Sequence, residues 1–377
     1  MVTTTRPVEC NAGPTLWLAF DLGSTKWTLG FTTGAAQRPR VRTMPAGDLG
    51  ALEREIAIAK VRFGLPSDTP VRSCYEAGRD AFWLHRWLVA HGIDNVVVDS
   101  SSIEVNRRAR HAKTDRMDVR KLLHLLVRWA GGERRAWSVV HIPTPDDEDE
   151  RQLTREIESV GIDRTRVRNR IHGLLATQGV HLELDPHFEE RLAAVHTGDG
   201  RPFPPALRAR IRHEWAYLAT IEARITALAA QRAAYVATGQ TRVAQVARQL
   251  MQVRGIGPTS ALLFSAELFG TRTFQNGRQV SALTGLAPVP YRSDQRVADH
   301  GISKAGRGAL RRVAVEISWG WRRWQPASPV TQWFERRFAA AGKRARRVGI
   351  VAVARKMIVA LWQYVHHGVV PDGMIVQ

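Results

Sequence analysis

The stretch LWLAFDLGSTKWTLGF, residues 16–31, decides how the first part of the chain is read. An apolar run enters Asp21, passes through Gly23-Ser24-Thr25 and leaves through a second apolar run, the pattern of a strand, a tight turn and a strand. An acid at the end of a buried strand needs a reason. Either the turn behind it cradles a phosphate, or Asp21 is the first carboxylate of a metal-binding set.

Composition narrows the classes. With 377 residues and 44% apolar content, the chain can bury ample core, and a prior of roughly 100–200 residues per domain suggests two or three domains. Cys10 and Cys74 form no ligand or disulfide spacing. No uninterrupted apolar run approaches the ~18 residues of a membrane span. MVTTTRPVECNAGP lacks the charged start and apolar stretch of a secretory signal. The expectation is a soluble, reduced, cytoplasmic protein without a membrane partner.

The formal charge of +20 is unevenly spread: residues 1–150 carry 21 basic and 19 acidic side chains, residues 151–377 carry 34 and 16. A basic part joined to a neutral part is what a polyanion-binding region beside a separately folded catalytic domain looks like, because phosphate neutralisation supplies sequence-independent affinity. The bland alternative is arginine scattered over solvated surfaces.

Strand and helix patterns alternate through residues 15–140. LWLAFDLG, KWTLGFTT and RVRTMPAG read as strands, ALEREIAIAKVRFG as an amphipathic helix, VRSCYEAG as a strand, DAFWLHRWLVAHG as a helix, NVVVDSSS as a buried strand and TDRMDVRKLLHLLVRWAGG as a helix. Three strands followed by helix, strand, helix, strand, helix is the order expected of a ribonuclease-H-like α/β domain. A doubly wound nucleotide-binding domain shares the alternation.

In that order Asp21 ends the first strand and Glu76 the fourth, while Asp115 and Asp118 sit at i and i+3 on one face of the last helix. Four carboxylates gathered at one sheet edge repel one another unless cations intervene, and hard oxygen ligands suit Mg²⁺ or Mn²⁺. Two such ions ~3.5–4 Å apart suit phosphodiester chemistry. Each acid also has a plain reading: Asp115 as a helix start, Asp118 as a first-turn acid complementing the dipole, Glu76 as part of a strand-ending turn. The phosphate-cradling alternative is that of sugar kinases and other actin-like ATPases, which open on a similar Asp-x-Gly-Ser/Thr turn. It weakens because no second phosphate turn or Gly-Gly adenosine loop follows; TGLAP and DGMIV are poor substitutes.

Beyond residue 142 the acidic run PTPDDEDE is expected to cap a long helix whose apolar spacing suits an antiparallel coiled coil, with ALRARIRHEWAYLATIEARITALAAQRAAYV as the returning arm. LELDPHFEERLAAVHTGDGRPFPP between them reads as a tip or insertion. Plain core packing is the competing reading of the pair. The third region opens on VARQLMQVRGIGPTSALLFSAELFG, where Gly255-Ile256-Gly257 before a small-residue helix resembles a helix-hairpin-helix element whose amides meet a phosphate. A glycine turn between packed helices reads the same. A serine in a polar, arginine-flanked loop and a basic helix follow. The expected division is therefore 1–142, 143–240 and 241–377.

FDLGSTK, YEAG, KTDRMDVRKL, RGIGPTSALL, LTGLAPVPYRS and GISKAGRGALRR, in this order and spacing, give a chain that resembles the DEDD transposases of bacterial insertion sequences. That family includes Piv-type DNA invertases and bridge-RNA-guided serine recombinases. The resemblance implies a RuvC-like first domain with metal ligands at Asp21, Glu76, Asp115 and Asp118, and a nucleophilic serine at Ser293 in PYRSD. It implies donor and target DNA and a bridge RNA as partners, and a homodimer or homotetramer.

A serine hydroxyl is a weak nucleophile that needs a proton acceptor and cations to stabilise a pentacovalent phosphate. The first-domain acids and metal are the candidate acceptor, and Arg292 and Arg296 the local cations. The family loop is expected to carry Ser-Gly, whereas Asp294 follows Ser293 here, and Ser303 in GISKAG competes for the role. Arg254, Gly255, Gly257, Lys304, Arg307, Arg311 and Arg312 complete the expected nucleic-acid surface. A RuvC-like DNA resolvase or nuclease without a serine adduct and a non-enzymatic nucleic-acid-binding protein are the alternatives.

Overall fold

The computed structural model describes residues 13–34, 36–78, 81–103, 115–293 and 296–377; for residues 81, 101, 115–117, 290–293 and 296–300 only the backbone is described. By contact the chain divides into two units, the first ending at Pro143 and the second running Thr144–Gln377. The expected spacer and C-terminal region fall together in the second.

The first unit is built on β1 (Leu16–Leu22), β2 (Lys26–Thr32), β3 (Arg40–Pro45), α1 (Leu49–Arg62), β4 (Val71–Glu76), α2 (Ala81–Ala90), β5 (Asp94–Val98) and α3 (Asp115–Ala130). The sheet order is β3-β2-β1-β4-β5. β1 to β3 pair antiparallel as consecutive neighbours, whereas β4 and β5 join parallel to β1 through helical crossovers. β1 is apolar on both faces because both are covered. Leu16, Leu18 and Phe20 pack with Leu52 and Ile56 of α1 and Leu84 and Leu88 of α2. On the opposite face Ala19, Cys74 and Val98 meet Val119, Leu122, Leu123 and Leu126 of α3. Asp48 caps α1 by accepting from the Ala51 amide at 2.8 Å, and a half-buried Glu55 of α1 pairs with Arg40 of β3 at 2.6 Å.

Gly30 on β2 sets how closely α3 lies on the sheet. A Cβ there would overlap Cγ1 of Val119 and crowd Leu123.

In the second unit the acidic run does not cap the long helix directly. It forms its own short helix α4 (Pro145–Asp149), closed by a reciprocal Thr144–Asp147 capping box, and the buried Arg151 intervenes before α5 (Gln152–Ala176). After α6 (Phe188–Ala194) comes α7 (Pro205–Thr238). α5 and α7 run antiparallel, since Glu156 pairs with Arg224, Arg164 with Glu222 at 3.8 Å and Arg170 with Glu214 at 2.6 Å. Val167, Ile171 and Leu175 of α5 face Ile211, Leu218 and Ile221 of α7, and Phe188 and Leu192 of α6 close that core at the tip.

α8 (Arg242–Met251), α9 (Pro258–Phe264), a single π turn (Ser265–Phe269) and α10 (Gly277–Leu283) follow. Then come β6 (Pro288–Ser293), β7 (Arg296–Ile302), α11 (Gly308–Trp324), α12 (Pro329–Phe338) and α13 (Lys343–His367). Where a polar serine loop is expected, the chain forms a two-stranded antiparallel ribbon, β6 with β7. Pro288 and Pro290 argue against a strand in sequence, but a ribbon of two edge strands tolerates the missing donors, and its register is irregular between those prolines. α13 contains an 18-residue window of mean hydropathy 1.5, long and apolar enough to cross a membrane by composition. Here Ala354, Met357, Ile358 and Leu361 of that helix are fully buried at the centre of the second unit's core.

The Gly30 contact gives a direct test of the packing beneath α3. Gly30→Leu should destabilise the protein by roughly 1–3 kcal/mol through overpacking, and Val119→Ala in the same chain should return part of that loss; urea midpoints of the single and double variants measure both.

Candidate active site and nucleic-acid interface

β1 and β4 are in parallel register from Leu16↔Val71 to Phe20↔Tyr75. The next residue on each strand is an acid, Asp21 and Glu76. Side chains alternate along a strand, so Asp21 shares the sheet face of Ala19, and Glu76 that of Cys74. That is the face covered by α3. Asp21 also pairs with Thr28 across β2, and Glu76 with Val98 across β5.

The direction of α3 follows from its contacts. Val119 packs at Gly30, which pairs with Ala19. Val127, two turns later, shares a shallow cleft with Thr32, which pairs with Trp17. The helix therefore descends toward the start of β1, and its N-terminal turn points toward the edge where Asp21 and Glu76 end their strands. Asp115 is the first residue of α3, its side chain outside the described residues, and Asp118 is half-buried in the first turn. Burial pushes the Cys74 thiol up, and the Glu76 charge beside it adds to the effect, so this cysteine is an inert core residue rather than a ligand.

An all-oxygen donor set fits a hard divalent cation. Among the described residues, no three His, Cys, Asp or Glu side chains already converge on a common point. Two acids at matched register on one face, under the first turn of α3, are the part of the set that the fold brings together.

In the second unit Ser293 is the last paired residue of β6, opposite Arg296. It stands at the tip of the ribbon with Arg292 beside it; the side chains of all three, and residues 294–295 between them, lie outside the description. Ser303 lies at the root instead, its amide donating to Ala287 O at 2.8 Å. The exposed Lys304 adopts a left-handed φ of +55°, and the Lys304 amide donates to Gly285 O at 3.2 Å. Gly306, at φ +92°, lies so close to Leu283 O that any side chain would collide with it. The root of the ribbon is thus pinned by backbone contact to the end of α10.

The cations expected on this surface divide. Arg254, Gly255 and Gly257 are exposed on the turn between α8 and α9. Arg311 donates to Lys304 O at 3.1 Å. Arg307 is turned inward, its guanidinium held by Glu267 and by Glu158 at 3.2 Å, and Arg312 also reaches Glu158, at 2.9 Å. Glu267 is 7% exposed on the π turn, with Arg155 at 3.6 Å. Burial pulls Arg307 below the usual arginine range, against the hydrogen bond it donates to Glu158. Burial alone would raise Glu158, but its hydrogen bonds from Arg312 and Arg307 together hold it below the ordinary glutamate range. Arg272, crowded by burial and by Arg151, is pushed down to about 10. Sequence reading missed Glu158 and Glu267. The signal for Glu267 was present, a single acid inside the apolar run ALLFSAELF.

Residues 247–331 match the model of the Transposase IS116/IS110/IS902 family, a span that holds the glycine turn, the π turn, the ribbon and α11. The chain is 36% identical over 378 residues to a protein of Sinorhizobium fredii whose name describes a transposase, covering 96% of this chain and 94% of that one. It is 26% identical to the transposase for insertion sequence element IS1328 of Yersinia enterocolitica, over 48% of this chain and 52% of that one. A Pseudomonas aeruginosa protein named for family 20 transposases is 31% identical over 40% of this chain and 44% of its own length.

The internal ion-pair network predicts a large effect for one neutral substitution. Glu267→Gln leaves Arg307 with part of its charge unanswered in the interior and should cost roughly 3 kcal/mol of stability, read from denaturant unfolding. Glu158 has a depressed carboxyl, so its contribution is present above the unfolded-state value and lost as pH falls through and below about 4.3. Glu158→Gln should therefore flatten the acid side of the stability profile in that window and leave its neutral-pH shape unchanged.

Proposed function

Because the chain belongs to the IS116/IS110/IS902 transposase family, we propose that it recombines DNA by strand cleavage and rejoining, with carboxylates of a ribonuclease-H-like first domain and Ser293 in named roles. The observation that carries the reading is the matched register of Asp21 and Glu76 on one face of a sheet ordered β3-β2-β1-β4-β5, beneath the first turn of α3. Asp21, Glu76, Asp115 and Asp118 would hold Mg²⁺ or Mn²⁺, which when bound would supply Lewis-acid neutralisation of phosphate charge.

Ser293 Oγ attacks phosphorus. A phosphoserine bond forms as one sugar–oxygen bond to phosphorus breaks, and the departing strand keeps a free hydroxyl. Attack by a hydroxyl on the phosphoserine reverses the step, releases the serine and joins a new pair of ends, so no external energy source is needed. The ribbon tip supports this role because it places a serine between two arginines in sequence, at the end of a rigidly rooted element. Arg292 and Arg296 stabilise charge on the phosphate; Arg254, Gly255 and Gly257, with Lys304, Arg311 and Arg312, contact the backbone. A bridge RNA pairing with donor and target supplies sequence choice, and the protein acts as a homodimer or homotetramer in the cytoplasm.

Four variants test this. Glu76→Gln and Asp21→Asn should abolish strand cleavage on element-end DNA while binding persists, and full cleavage by either removes that residue from the site. Ser293→Ala should eliminate the covalent protein–DNA adduct trapped from a nicked suicide substrate, whereas Ser303→Ala should lower its yield only partly. Cleavage without any adduct in the wild type would replace the serine mechanism with hydrolysis, and recombination at full rate without the element's noncoding RNA would remove the guide.

A further inference from the structure

The turn between α8 and α9 is locked to the end of α11. Gln325, fully buried, donates to Arg254 O at 2.8 Å and Ile375 O at 3.0 Å, and accepts from the Ile375 amide at 2.7 Å. Against this lock stands Trp324. One edge of its indole packs on Gly255, where an added Cβ would come within 3.1 Å of the Trp324 Cβ, and on Gly320. Trp324 is nevertheless 40% exposed. Two guanidinium groups stack on it, Arg254 at 5.4 Å and Arg323 at 5.2 Å from the ring centroid. Among the described residues neither arginine has a carboxylate partner, in contrast to the neighbouring Arg322, which pairs with Glu335 at 2.6 Å. Trp319, one turn before Arg323 on the same face of α11, is 43% exposed.

An exposed indole is a surface on which an aromatic ring stacks, and two cations gathered on it without a counter-charge call for an anion. A nucleotide offers both groups, but only when its base is out of the duplex stack. We propose that Trp324, flanked by Arg254 and Arg323, is a stacking platform for an unpaired nucleotide of single-stranded DNA. The inference rests on the reading that the chain works on DNA, and it assigns to Trp324 and Arg323 a task apart from the reacting groups.

The full-length protein is titrated into a labelled single-stranded oligodeoxynucleotide, the matching duplex and the same sequence as RNA. Trp324→Ala should weaken single-strand DNA binding about tenfold or more, and Trp324→Phe should stay within about threefold of wild type, since a phenyl ring still stacks. Arg323→Gln should lower the salt slope on the single strand by about 0.7. Duplex binding should change less than twofold or so in each. Because Trp324 also supports Gly255, a second readout is independent of the variants. Irradiating wild-type protein with a 5-iododeoxyuridine strand should yield a crosslink at Trp324, and crosslinks found only elsewhere overturn the platform. Dependence on Trp324 for RNA but not DNA overturns the assignment to DNA. Wild-type protein that binds neither strand nor duplex defeats the broader DNA reading; single-strand binding that is the same in wild type, Trp324→Ala and Arg323→Gln defeats the platform alone.

Discussion

β1 is hydrogen-bonded along both edges, antiparallel to β2 and parallel to β4, and the rest of the first unit takes its position from that double pairing. A slip of one residue would carry Leu16, Leu18 and Phe20 to the face of α3 and put Trp17, Ala19 and the charged Asp21 under α1 and α2. The apolar content of both faces thus fixes the register, and the register sets Asp21 beside Glu76. Acid placement at this edge is a by-product of hydrophobic burial two and three residues earlier in each strand. Gly30 completes the arrangement by letting α3 settle close enough for Val119 and Leu123 to fill the same layer.

In the second unit charge is spent inside as well as outside. Glu158 and Glu267 face Arg155, Arg307 and Arg312, so part of the basic excess of residues 151–377 serves cohesion rather than contact with a polyanion. Arg307 stands directly before α11 and shortly after the ribbon that ends in Ile302. Its two carboxylate partners come from α5 and from the π turn, which ties three separated segments to one guanidinium. Glu267 lies inside the π turn itself, and from there the single acid of an apolar stretch reaches the cation.

The first unit was legible because its signals are local. Apolar runs of strand length, Gly-Ser-Thr after Asp21, and a helix of 3.6-residue period each announced themselves, and the acids fell at the ends of those elements. The second unit was legible in its long helices but not in its ribbon. Pro288 and Pro290 mask a strand, and the partner strand RVADHGI carries few apolar residues because a two-stranded ribbon has little to bury. Arg307 illustrates a different limit. A run such as GRGALRR looks uniformly solvent-facing in sequence, and only the arrival of Glu158 from about 150 residues earlier in the chain tells an inward arginine from its neighbours. The joint origin of the platform at Trp324 was likewise hidden, since Arg254 and Arg323 are distant in sequence.

The paired helices α5 and α7 have a mechanical consequence. With 25 residues in α5, the arm is about 37 Å long at 1.5 Å per residue. Its ion pairs rise along α5 as they fall along α7, so the two helices bend as one beam instead of sliding. A rotation of about 10° where the arm meets α8 would sweep its far end by about 6 Å, with no change in the packing of Phe188 and Leu192 there. Insertions that keep the spacing of Ile211, Leu218 and Ile221 would lengthen the lever and enlarge that stroke, while others would turn the buried stripe away from α5 and break the beam in the middle.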